Sequence, residues 1–438
     1  MEFRIERSAL TEAVSWAARV LPVRSPVPVL GGLLLDTGAG GGGGDGDKAG
    51  DGGGQLRISG LDYEASARID VEAEVSRPGK VLVMGRRLLD ICKVLPDGPV
   101  ECAVEGSRFT VSGDGARFGL SVLPLDDCPA LPPLPRVRGA VDAELFAAAV
   151  ADVAVAAGRD DTLPALTGIR LGLDGDTMTL AATDRYRFAV RTVPWKATAP
   201  GESADVLVSA RRLTEIARSL GRSGLVSVAL DAGSAGFEHA GMRTTVRLLE
   251  GRLPRHEKLF AMEDPAVAVV DRARLTEAVK RVSVVADGDS PVQMTFSRAD
   301  ASVTLRAGYE DDVASQRLPA SLEGSEELTV AFNPAYLADA LASFTGPALR
   351  LKLLGAGQRA LITDGTGTGG ANADGTGTGP TGTGPTGTGP TGTGPTGTGP
   401  TGTSRTGTGR TGTGRTGTEE GDTGTHRHLL MSVRPQLV

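Results

Sequence analysis

The chain is poor in the residues that build metal centres and activated nucleophiles. Among 438 residues there are four histidines, three cysteines and two tryptophans, and aromatics make up only 4%. Cys92, Cys102 and Cys128 are odd in number and none stands in a CxxC spacing, which excludes a disulfide framework; they read as buried thiols in a reducing compartment. His239, His256, His426 and His428 form no HExxH. The closest two, His426 and His428, stand at the end of a low-complexity tract, so no metal site is expected. No GxGxxG follows a strand-like run and no GxxxxGK[ST] occurs, which removes dinucleotide and P-loop sites. No apolar run is long enough to span a bilayer, and the opening MEFRIERSAL lacks signal-peptide character, so the cytoplasm is the expected location.

Glycine, by contrast, is abundant, with 62 residues concentrated in two places. Residues 37–54 read as a flexible loop between a strand ending near Asp36 and one starting near Leu56. Residues 365–425 are a Gly/Thr/Pro-rich insertion in which TGTGP recurs before giving way to TGTGR-like units. That tract has little to bury against a large ordering cost, so it is expected to be disordered. Glycine does not fall at every third position, which rules out collagen.

The rest of the chain is one pattern used three times. ERSALTEAVSWAARVL from Glu6 returns as DAELFAAAVADVAVAA from Asp142 and as DRARLTEAVKRVSVVA from Asp271. Leu10 with Ala13 and Val14, Phe146 with Ala149 and Val150, and Leu275 with Ala278 and Val279 share the spacing that puts three side chains on one helix face. A second helical pattern repeats in step at Gly85–Leu95, Ala210–Leu220 and Asn333–Phe344, each after a short strand-like run. Period-two runs with hairpin signals, such as Leu173–Asp176 and Ser297–Asp300, fill the intervals. The expected fold is α+β, three tandem domains each with two helices against antiparallel sheets. Their boundaries are expected at 1–135, 136–262 and 263–438, with CPALPPLPR and GRLPRHEKLF as linkers.

Net charge is −7, yet its distribution is uneven. Arg7, Arg19, Arg24, Arg86, Arg87, Lys93, Arg211, Arg212, Arg218, Arg222, Arg272, Arg274, Lys280 and Arg281 crowd four of the six repeated helical segments, against few acids. A solvated helix face accounts for some of them, but repetition in separate modules points to a shared cationic surface for nucleic acid. The third helix, with Asp142, Glu144 and Asp152, is acidic, and Asp339 is the only charge of the sixth. Asp62 in SGLDYE and Asp184 in AATDRYR occupy equivalent turns. An acid that recurs in this way is expected to cap backbone N–H groups, and Glu310 likewise carries no catalytic expectation.

Taken in order, RVLPVRSPVPVLGGLLL, GLDYEASARIDVEAEV, RRLLDICKVLP, AATDRYRFAV, LLEGRLP, LTVAFNPAYLADAL and HLLMSVRP resemble the bacterial sliding clamp family, the beta subunit of the replicative DNA polymerase. The resemblance covers nearly the whole chain outside the two glycine-rich insertions. It implies a head-to-tail homodimer closed into a ring, a non-catalytic processivity factor without cofactor that slides on double-stranded DNA independently of sequence. It also implies capture of short peptides from polymerase, clamp loader and repair proteins. By position the pocket residues are Leu166, Thr183, Arg185, Arg187, Phe188, Pro254, Lys258, Leu259, Leu429, Met431, Val433 and Arg434. Ser432 stands where the family has proline, Pro435 where it has leucine, and His256 where it often has an aromatic. These departures are expected to remove apolar surface and weaken peptide capture, and they raise the alternative of a divergent accessory clamp.

Overall fold

The computed structural model describes residues 1–22, 27–38, 54–220, 223–286, 290–309, 312–365 and 426–434. The expectations for Arg24, Arg222, Glu310, Pro435, most of the 37–54 loop and nearly all of the 365–425 tract lie outside those residues.

The first repeat runs β1 (Glu2–Glu6), α1 (Arg7–Ala17), β2 (Gly32–Asp36), β3 (Gly54–Leu61), β4 (Ala65–Arg77), β5 (Lys80–Met84), α2 (Gly85–Val94), β6 (Pro99–Glu105), β7 (Arg108–Gly113) and β8 (Ala116–Leu123). The second runs β9 (Val137–Asp142), α3 (Ala143–Ala154), β10 (Gly168–Asp174), β11 (Thr177–Thr183), β12 (Arg187–Pro194), β13 (Lys196–Ala197), β14 (Ser203–Ser209), α4 (Ala210–Ser219), β15 (Leu225–Leu230), β16 (Ser234–His239) and β17 (Met242–Arg247). A short helix, α5 (Glu257–Phe260), stands in the linker. The third repeat runs β18 (Ala266–Asp271), α6 (Arg272–Val282), β19 (Val292–Ser297), β20 (Ser302–Tyr309), β21 (Asp312–Glu323), β22 (Glu327–Phe332), α7 (Pro334–Ala342), β23 (Ala348–Leu353), β24 (Arg359–Gly365) and β25 (His426–Met431).

Three helices, α3, α6 and α7, start where a side chain satisfies free N–H groups. Asp142 Oδ1 accepts from Glu144 N and Leu145 N, Asp271 Oδ1 from Arg274 N, and Asn333 Oδ1 from Ala335 N and Tyr336 N. The repeated apolar triplets are all buried. Within each repeat the two helices pack on each other, α1 on α2, α3 on α4 and α6 on α7. One core joins the first and second repeats, and the third has its own. Cys92 and Cys102 lie in the first core with their thiols pushed up by burial, Cys92 to about 12, whereas Cys128 is only half-buried, a correction to the expected three buried thiols.

The strands form a 13-stranded and a 12-stranded antiparallel sheet, and the repeats join inside them by one rule. The third strand after the first helix of a repeat pairs with the last strand of the next. Thus β4 pairs with β17, from Ala65↔Val246 to Ile69↔Met242, and β12 pairs with β25, from Arg187↔Leu430 to Arg191↔His426. The corresponding strand of the third repeat, β21, pairs with β20 over Asp312–Pro319 and with β18 only over Ala320–Glu323. The last strand of the first repeat, β8, pairs with β7 and touches β5 only at Val122 and Leu123. Among the described residues, the outer edges of early β21 and early β8 are the ones this rule leaves unused.

Candidate peptide pocket and cationic helix faces

The β12–β25 joint places a hairpin turn of the second repeat beside α7 of the third. Asp184 shapes that turn: its Oδ1 accepts from Tyr186 N at 3.0 Å and Arg187 N at 3.1 Å, and Asp62 does the same for Glu64 N and Ala65 N. Both acids therefore cap turns as their repetition indicates. Arg187, 5% exposed, donates from Nε to Asp184 Oδ2 (2.8 Å) and from Nη1 to Asp339 Oδ2 (2.7 Å), and its guanidinium lies 4.4 Å from the Tyr336 ring centroid. One side chain thus ties the turn to α7 across the joint. Tyr186 stacks on Tyr336 with ring centroids 6.2 Å apart.

Beside this tie opens a cavity of about 400 Å³ lined by Ala157, Gly158, Arg159, Asp160, Leu163, Leu166, Asp184, Arg185, Tyr186, Arg187, Ala335, Tyr336 and Asp339. Leu166, Arg185 and Arg187 of the expected set line it. Thr183 is buried, its Oγ1 donating to Arg187 O at 2.6 Å, so it holds the turn. Phe188 and Leu429 are sealed in an apolar cluster with Ala181, Val190, Phe260 and Leu361, against which Leu259 packs. Met431 and Val433 are exposed; Met431 N donates to Tyr186 O, which brings that strand end to the cavity's side. Pro254, Lys258 and Arg434 are exposed and do not line the cavity. The sequence reading missed Arg159, Leu163, Tyr186, Tyr336 and Asp339. Their signal was weak: Tyr336 and Asp339 show only as an i, i+3 pair on α7.

Two departures behave differently from expectation. His256 is buried with ring centroids 6.1 Å from Phe188 and 5.4 Å from Phe260, and burial holds its imidazole below the ordinary histidine pKa. A neutral imidazole stacks as an aromatic, so the expected loss of apolar surface does not occur there. Ser432 is buried; its Oγ accepts from Gln358 N at 2.9 Å and lies 2.8 Å from Gln358 O, while its own N donates to Gln358 O. Proline could make neither the side-chain bonds nor the N–H bond. Ser432→Pro is therefore expected to cost about 2 kcal/mol, read as a lower urea midpoint in the full chain.

Twelve of the fourteen cationic positions lie among the described residues and divide by what they touch. Arg7 pairs with Asp97, Arg212 pairs with Asp62 and Glu215, and Arg272 Nε donates to Gly346 O. Lys93 pairs with Asp90, Arg211 with Glu215 and Arg281 with Glu277, all near the surface. Arg86 donates to Leu21 O. Arg19, Arg87, Arg218, Arg274 and Lys280 are exposed, with no carboxylate within ion-pair distance among the described residues. Arg19 and Arg212 line one crevice between the first two repeats, and Arg211, Arg212 and Arg218 share a concavity with Arg159 and Arg247. The third-repeat cations line neither.

Known proteins show the same architecture. The model for the N-terminal domain of the DNA polymerase III beta subunit matches residues 1–132, that for its central domain 140–255, and that for its C-terminal domain 257–368. The chain belongs to that family. It is a DNA sliding clamp, a processivity subunit rather than an enzyme. It is 47% identical over 369 residues to a beta sliding clamp of Streptomyces coelicolor, a match covering 83% of this clamp and 94% of the relative. It is 44% identical over 365 residues to "Beta sliding clamp homolog GriR" of Streptomyces muensis, covering 83% and 93%. In fold it is similar to the DNA polymerase III subunit beta of Pseudomonas aeruginosa, with a TM-score of 0.77 at 22% identity over 99% of this clamp and 100% of that chain. The Bacillus subtilis DNA polymerase sliding clamp gives 0.78 at 21% identity, over 99% of each.

Proposed function

We propose that two copies of this clamp close head to tail into a ring around duplex DNA, with domains bounded at 1–135, 136–262 and 263–438. The observation that carries the reading is the joining rule. Applied a third time, it pairs β21 of one copy with β8 of the other, and the same step on the opposite side closes the circle without a leftover edge. Val284 supports this contact: it is 82% exposed, on the turn after α6 that packs beside β21, an apolar side chain awaiting cover.

Within the ring, Arg19, Arg87, Arg218, Arg274 and Lys280 hold DNA by phosphate charge alone, joined by the other repeated cations as their ion pairs exchange. Such contacts carry no sequence information, so the ring slides. The cavity beside Tyr186 and Tyr336 takes the apolar anchor of a partner peptide from polymerase, clamp loader or repair proteins. Among the described residues no helix is long and apolar enough to cross a membrane. Action in the cytoplasm, beside the replicating DNA, is the location that fits this role.

Retention on DNA tests the ring. Loaded clamp is expected to stay on a closed circle at salt that screens arginine–phosphate contacts and to leave once the circle is linearised. Val284→Asp is expected to run as a monomer in sedimentation and to lose retention on circles. Equal loss from circular and linear DNA as salt rises would refute encirclement.

A further inference from the structure

The second repeat holds an unfinished β-ladder on β14, and we propose that an extended, acidic segment of a partner protein completes it. The groove beside that ladder is built from the second repeat and the start of the linker. It shares no lining residue with the cavity beside Tyr186 and Tyr336.

β14 is the outermost strand of the 12-stranded sheet. β10 covers one of its edges along the whole length, from Gly168↔Ser209 to Asp174↔Ser203. The other edge is covered only at its end, where Val208 bridges to Leu248 and Leu207 O accepts from Leu249 N at 2.8 Å. The pairing stops there, and the linker passes through Gly251 at φ 109°, a conformation that β-pairing does not use. Successive residues of an antiparallel strand turn their N–H and C=O groups to opposite edges, so Asp205 and Ser203 face the same way as Leu207. Among the described residues no backbone bond reaches either of them from that side. Two rungs of the ladder are therefore open. Proteins guard exposed edges with lysine, proline or a bulge, and Ser203–Val206 has none of these.

Along the open edge runs a groove of about 580 Å³, with Asp205, Val206 and Leu207 on one wall and residues 248–253 on the other. At the rise and spacings of β structure it has room for about three or four residues of extended chain, the length of the open edge. Leu253 is buried and Leu248 and Leu249 half-buried, which gives alternate side chains of an added strand an apolar floor. The charges select the segment. Asp205 pairs with Arg170 at 2.7 Å, and Asp231 Oδ1 accepts from Gly233 N, Ser234 N and Ser234 Oγ. Arg252 and Arg255 line the groove, are exposed, and have no carboxylate within ion-pair distance among the described residues; of the lining acids only Glu250 is likewise unpaired. The vacant capacity is thus two guanidinium groups beside two open backbone rungs, which fits a strand carrying carboxylates.

The test titrates full-length clamp with a fluorescent peptide, Thr-Val-Asp-Val-Glu-Val-Thr with blocked ends. One variant peptide is N-methylated at its three central residues, and another has Lys for Asp and Glu. The parent peptide should bind and slow amide hydrogen exchange in the 203–206 stretch. Both variants should bind about tenfold weaker, the Lys gap narrowing in salt. Ser203→Pro removes one open N–H at the first residue of β14, where proline is tolerated, so it should melt like the parent yet bind the peptide about tenfold weaker. Arg252→Gln with Arg255→Gln should bring the acidic and Lys peptides together. Binding that survives N-methylation, equal binding of the Lys peptide to the parent clamp, or no binding at millimolar peptide would overturn the proposal. So would displacement by an apolar-anchor peptide whose own binding needs Arg187. A larger species in sedimentation that Ser203→Pro abolishes would put a second copy of the clamp on this edge and overturn it as well.

Discussion

Acidifying the clamp from about pH 7 to about pH 5 is expected to remove roughly 2–3 kcal/mol of its unfolding free energy. The cause is a pair of histidines on β25. His426 and His428 are 2% and 0% exposed, and neither ring nitrogen of His428 has a partner among the described residues. His426 Nε2 meets Ser343 Oγ at 2.7 Å, and its ring sits 4.4 Å from that of Phe344. Burial first, then the Arg191 charge, hold His426 down to about 4. Burial, with the His426 and Arg187 charges, holds His428 well below its ordinary value.

The unfolded chain protonates both rings below about pH 6.5 while the folded chain does not. Their stabilisation is thus complete above that pH and drains away as pH falls. For His426 the loss is about 2 kcal/mol by pH 5, and His428 acts in the same sense. Asp152 works against them. Burial, helped by Asp364 and opposed by Arg191 at 3.6 Å, raises its carboxyl to about 6, so the folded state gains protons there as pH falls and recovers about 1 kcal/mol. Urea titrations across this range give the slope. His428→Leu should flatten it and stabilise the clamp at pH 5; a profile already flat in the parent would refute the account. Because β25 pairs with β12, the loosening begins at the joint that carries the pocket.

Arg187→Ala is expected to destabilise the full chain by about 3 kcal/mol. The side chain is almost fully buried, and its removal leaves Asp184 Oδ2 without its partner while Asp339, itself 40% exposed, can turn to water. That exposure puts the estimate at the low end of the range for breaking a buried ion pair. The Tyr336 ring loses its cation as well. Arg187→Ala should abolish anchor-peptide binding, since the turn and α7 are then held together only through strand pairing and the Tyr186–Tyr336 stack. Adding Asp339→Asn should cost much less than the first change, because the pair is already broken; full additivity in that double-mutant cycle would show that the tie does not exist.

How much of this could be read beforehand follows from range. The six repeated helices, most strands and the two aspartate caps were visible because their determinants lie within a few residues of one another. The Tyr186–Tyr336 stack and the Arg187–Asp339 pair were not, because both depend on the β12–β25 register and on where α7 lands beside it. The same holds for Arg7 and Arg212, whose partners Asp97 and Asp62 are far along the chain. His256 and His428 looked like lost apolar surface or tract-end polarity; only packing reveals them as neutral rings. The charge pattern showed which segments are basic, but not which side chains remain unpaired.

β24 and β25 are neighbours in the sheet, with Thr363 opposite Arg427, although sixty residues of sequence part Gly365 from His426. Every backbone bond of that ladder is made by residues outside the tract. The number of residues threaded between the two strands is thus a free coordinate for the engineer, and a reporter or affinity handle housed there would leave the ladder's partners in place.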